Sequence, residues 1–181
     1  MPRALRRPMP SILAALIAAL ATAALADAWP KPAFGRGDPD RSHERRWRQF
    51  EETLRKTDAA IHAITSGNPQ PYIALWDDSP DVTLFGAWGP IERGPDALRA
   101  TFEWVGGRFG PGGGLESEHT VVKLSDSLAY TVGFERGTVQ VDGGPLVPMT
   151  IRVTHMFRYT HGEWRLMHRH ADFPPADQRP A

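Results

Sequence analysis

Beyond residue 116 the chain alternates apolar and polar side chains with a period of two, and this pattern limits the fold more than any other feature. Four stretches carry it: residues 118–124, 128–141, 149–159 and 163–172. Such a period puts successive side chains on opposite faces of an extended chain, so each stretch reads as a strand with one buried face. Asp142-Gly143-Gly144 and His161-Gly162 stand between the last three, where tight hairpin turns need residues that tolerate a left-handed backbone. The expectation is a meander of long antiparallel strands.

The preceding hundred residues have a different period. Trp47, Phe50, Leu54, Ile61 and Ile64 recur at helical spacing behind Ser42, a suitable cap, and Gly67-Asn68 stops the helix near Ser66. Pro69 opens a second, short helix reaching Trp76, and residues 82–85 read as a strand. Pro95 opens a third helix with Leu98, Phe102 and Val105, broken at Gly106-Gly107. The glycines at 110 and 112–114 read as a flexible loop. No GK[ST] follows them, so they are no phosphate cradle and no cofactor is expected. Helices first and strands afterwards give an α+β domain with helices against one face of a curved sheet.

Residues 1–26 read as an address. Arg3, Arg6 and Arg7 precede an apolar run that ends in Ala24-Leu25-Ala26, a small-x-small cleavage pattern, and the run is too short to span a bilayer comfortably. A periplasmic or secreted protein is expected, with no membrane attachment once the leader is cut. Residues 27–41, rich in Pro and Gly, read as a linker, 42–175 as the domain and 176–181 as a tail. Without the leader 18 basic and 21 acidic residues remain, so nothing draws the chain toward nucleic acid. The chain has no cysteine, which excludes disulfides, thiol nucleophiles and thiolate metal sites.

Three stretches narrow the fold. Leu75-Trp76-Asp77-Asp78 with residues 81–86 comes first, then Ile91-Glu92-Arg93-Gly94, then residues 152–158 with Gly162-Glu163-Trp164 and the run to Asp172. In this order and spacing they resemble the SnoaL-like family of the nuclear transport factor 2-like superfamily, over about residues 45–173. The resemblance implies a cone-shaped curved antiparallel sheet wrapped on three N-terminal helices, a pocket between them, and a homodimer. It implies no reaction, because this fold carries many. Ketosteroid isomerases resemble the chain over residues 76–94, but Gly86 falls where their general base would stand, so isomerase activity is not carried over.

A two-residue loop at His161-Gly162 pairs Tyr159 with Trp164, Phe157 with Leu166 and His155 with His168. Continued alternation then puts His155, His168, His170 and Asp172 on the apolar face. Three readings compete: core histidines satisfied by neighbours, a His/carboxylate acid–base pair, or a three-nitrogen metal site of His155, His168 and His170. The adopted expectation holds no metal. The catalytic candidates are His168, His170, Asp172 and Glu135. Trp76, Phe85, Trp88, Phe102, Glu135, His155, His168 and His170 are the expected ligand-binding residues. Glu135 and Arg136 interrupt an apolar strand, so one must turn inward and find a partner. The function expected is an exported binder of a small, largely apolar molecule. A cyclase, isomerase or hydrolase is the first alternative, and a non-catalytic dimerisation or accessory module the second.

Overall fold

The computed structural model describes residues 41–175; the expected leader, nearly all of the linker and the tail lie outside them. Helix α1 (Arg41–Ile64) is followed by α2 (Gln70–Ile73), β1 (Thr83–Phe85), β2 (Ile91–Arg93) and α3 (Pro95–Arg108). Four long strands complete the domain: β3 (Phe109–Leu124), β4 (Leu128–Val141), β5 (Leu146–Thr160) and β6 (Glu163–Asp172). All six strands form a curved, unclosed sheet in the order β2-β1-β6-β5-β4-β3. All neighbours are antiparallel except β1 and β6, which are parallel. No described helix is long and apolar enough to cross a membrane.

The helices lie on one face of the sheet and supply about a third of the core. Phe50 of α1 meets Phe157 of β5 edge-on with ring centroids 5.1 Å apart, and tilts against Trp164 of β6 at 5.2 Å. Ile61 and Ile64 of α1, Tyr72 of α2, and Leu98 and Phe102 of α3 are buried with Leu84, Leu115, Val139 and Leu166 from the strands. At roughly 1.5–3 kcal/mol for each fully buried large apolar side chain, this cluster is the main source of stability.

Several elements depart from the sequence expectation. The second helix keeps only its first turn, and β2 is too short to have left a periodic signature. Helix α3 runs through Gly106-Gly107, because Gly106 packs against Pro69: a Cβ there would stand 2.8 Å from the proline's. The glycines at 110–114 are not a loop. They belong to β3, where the register shifts against β4 and where a Cβ on Gly114 would collide with the ring of His62. Both hairpin turns form as expected, with φ of 51° and 72° at Asp142 and Gly143 and of 50° and 86° at His161 and Gly162.

The consequential departure is in β6. Tyr159 pairs with Trp164 and Phe157 with Leu166, as the turn dictates. The next pair is Met156 with His168, so Met167 is an extra residue, a β-bulge. Beyond it every side chain changes face. His155 now lies opposite Arg169, not His168, and Thr154 opposite His170. Arg169 and Ala171 turn toward the helices, while His168, His170 and Asp172 turn to the outer face.

Candidate functional site

Four polar side chains meet under the helices. Strand alternation turns Glu135 inward at 2% exposure, and Arg136 outward onto Glu118 at 3.0 Å and the ring of Phe134. Arg169, put inside by the bulge, donates from both terminal nitrogens to Glu135: Nη1 to Oε1, and Nη2 to Oε2 at 2.8 Å. The same Nη1 lies 3.0 Å from His155 Nε2, and the Tyr72 hydroxyl approaches that nitrogen to 3.0 Å as well. His155 is 1% and Tyr72 2% exposed. A buried charge needs a hydrogen-bonded partner, and here the carboxylate has a two-pronged one.

Protonation follows from this environment. Burial holds His155 well below the ordinary histidine range, and the neighbouring Arg169 charge adds to the effect. Burial also raises the Tyr72 hydroxyl, so it stays protonated. With His155 neutral, Nε2 has one lone pair and can accept from only one of the two donors. The cluster therefore carries one negative charge on Glu135, one positive charge on Arg169 and two neutral polar groups.

This cluster forms one corner of a cavity of about 70 Å³ between sheet and helices. Tyr72, Glu135 and Arg169 line that corner. The remaining wall is mostly apolar, with Ile61 and Ile64 from α1, Phe102 and Val105 from α3, Ile151 from β5, and Trp88. Trp88 stacks on Phe109 at 5.2 Å with an interplanar angle of 26°. Arg108 also lies over the Trp88 ring, 4.3 Å from its centroid, and holds Asp142 at 2.6 Å.

Of the residues expected to bind a ligand, the fold brings Trp88, Phe102 and Glu135 to the cavity wall. His155 stands directly behind the polar corner, and Trp76 packs on Phe102 and Tyr72. The others go elsewhere. Phe85 is 40% exposed on the outer face, between the rings of His168 and His170. His168 bonds Thr83 at 2.8 Å, and its titration is lowered by partial burial and then by His170. Asp172 pairs with Arg152, which holds its carboxyl below the usual range. The grouping of His155, His168, His170 and Asp172 is thus corrected by the bulge, and with it the three-histidine metal set. No cluster of three or more potential metal ligands occurs among the described residues.

Tyr72 and Arg169 were missed. A signal for Arg169 did exist. Trp164 and Leu166 are apolar at even positions and Ala171 at an odd one, so all three can face the core only if one residue bulges out between them.

Residues 55–176 match the SnoaL-like domain family. The chain belongs to it. Solved structures agree at the level of fold. A nuclear transport factor 2-like superfamily protein from Salmonella enterica superposes with a TM-score of 0.62 at 16% identity, covering 75% of this chain and 96% of the other. A candidate dehydratase of the nuclear transport factor 2-like family from Streptomyces avermitilis gives 0.58 at 19%, with 71% and 96% covered. A ketosteroid isomerase-like protein from Erwinia carotovora gives 0.54 at 20%, with 74% and 97% covered. No curated protein matches the chain. At these identities the superpositions establish shared architecture only.

Proposed function

We propose that this SnoaL-like domain binds a small, largely apolar molecule in the cavity between helices and sheet. One observation carries the reading: a mostly apolar wall with a polar corner built on the buried ion pair of Glu135 and Arg169. Concave apolar sites with a few convergent polar groups are where small molecules bind. Trp88, Phe102 and Phe109 occupy much of the space, so the ligand is limited to a few atoms or one small ring.

The acid–base alternative has less support. His155 Nε2 is 3.9 Å from Glu135 Oε1, but Arg169 engages both groups, and the pair would have to open before either could move a ligand's proton. We also propose export through the leader at residues 1–26 and a homodimer formed by the outer sheet face. The dimer is favoured by the solvent exposure there of Phe85, Tyr130 and Val132.

The test is cavity filling. Val105 lines the cavity and is only partly buried, so Val105→Phe adds a ring there with little strain. Single-ring compounds titrated into the wild type should show saturable binding, weakened about tenfold or more in Val105→Phe for the space lost. Equal affinity in both proteins would reject the cavity as the site.

A further inference from the structure

The polar corner also indicates what kind of molecule fits, an inference that rests on the cavity reading above. Arg169 has five N–H donors in a fixed fork. Its terminal nitrogens make three bonds, two to Glu135 and one to His155, and Tyr72 also engages the guanidinium, so not all five donors are taken. Arg169 lines the cavity, so a donor remains available where a ligand would sit. Tyr72 lines the same corner and keeps its proton.

The charge is already balanced. Glu135 cancels Arg169 within one hydrogen-bonded pair, and burial keeps His155 and Tyr72 neutral. A ligand carboxylate would bring a second negative charge beside Glu135, with no second cation among the residues that line the cavity. An uncompensated charge in an apolar site is strongly disfavoured. A neutral oxygen acceptor meets the spare donor without that cost.

We infer that the cavity selects a neutral carbonyl compound, with the carbonyl oxygen accepting from the spare donors of Arg169, and rejects the corresponding carboxylic acids. Arg169 is here a specificity-determining residue, and Glu135 is the group that sets the sign of the selection.

Three probes of similar size test this by chemical-shift titration of the full mature protein at pH 7.5. They are cyclopentanone, methylenecyclopentane, which lacks only the acceptor, and cyclobutanecarboxylate. Wild type should bind cyclopentanone about tenfold more tightly than methylenecyclopentane, the usual worth of a hydrogen bond to a charged group. Cyclobutanecarboxylate should bind at least about tenfold more weakly than the ketone. Glu135→Gln keeps the shape but frees the arginine charge, so carboxylate affinity should rise about tenfold there and ketone affinity should not. A merely structural role for the pair would not narrow the preference for the ketone in this way. If the alkene binds as well as the ketone, or the acid binds wild type as well as the ketone, the carbonyl inference is overturned while the cavity reading survives. If none of the three saturates, both fail. The wild-type series decides the matter even if Glu135→Gln does not fold.

Discussion

Arg169→Met isolates the consequence of the β6 bulge. It keeps the length and apolar stem of the side chain but removes the guanidinium, leaving the Glu135 carboxylate, 2% exposed, without its two-pronged partner. Breaking one side of a buried ion pair costs about 3–5 kcal/mol, because the remaining charge is neither solvated nor matched. In a domain of this size each kcal/mol corresponds to roughly 3–5 °C, so the melting temperature should fall by roughly 10–20 °C at neutral pH. Replacing both partners, Glu135→Met with Arg169→Met, removes the stranded charge and should recover most of the loss. His170→Ala is the control. It lies exposed on the outer face and should change stability by no more than about 0.5 kcal/mol. Urea denaturation with unchanged m-values would report all three changes as free energies. If Arg169→Met stays within about 1 kcal/mol of wild type while His170→Ala costs about 3, the register is continuous and the histidines, not the arginine, face the core.

Three further outcomes are expected. His155 is buried and titrates well below an ordinary histidine. Below about pH 6.5 the unfolded chain therefore takes up a proton that the folded chain refuses, and stability falls as pH falls, by up to about 1.4 kcal/mol per pH unit. His155→Gln should flatten that slope between pH 6.5 and about 5, whereas a flat wild-type profile there would show His155 to be protonated in the fold. Exported material should begin at Asp27 by intact mass, and a chain retaining Met1 would remove the leader proposal. Light scattering should give a homodimer at tens of micromolar, roughly the range in which a modest interface is populated, and Tyr130→Glu should dissociate it; a wild-type monomer would reject the outer face as an interface.

Much of the fold was legible because it follows from period and turn chemistry. The helical spacing of Phe50, Ile61 and Ile64, and the alternation of β4, β5 and β6 as far as Leu166, each specify a buried face that the structure keeps. The glycine-rich start of β3 was illegible for a specific reason. Glycine there serves close approach to His62 and to β4 rather than flexibility, and that requires knowing the neighbours. The site was half legible. That Glu135 or Arg136 must turn inward and find a partner follows from the cost of a buried charge, but the partner lay beyond a one-residue bulge. A period of two leaves no tolerance for such an insertion, so one residue, Met167, moved His168 and His170 out and brought Arg169 in.

A ligand in the proposed cavity meets Arg169 on the helix side of the sheet. The most direct measurement is a titration of ¹⁵N-labelled protein with cyclopentanone, following the Arg169 Nε–H, the Trp88 indole N–H and the outer-face histidine rings together. The Arg169 and Trp88 resonances should move on one saturable curve while His168 and His170 stay still. Saturable shifts confined to His168, His170 and the amide of Phe85 would place binding on the outer face and rule out the cavity.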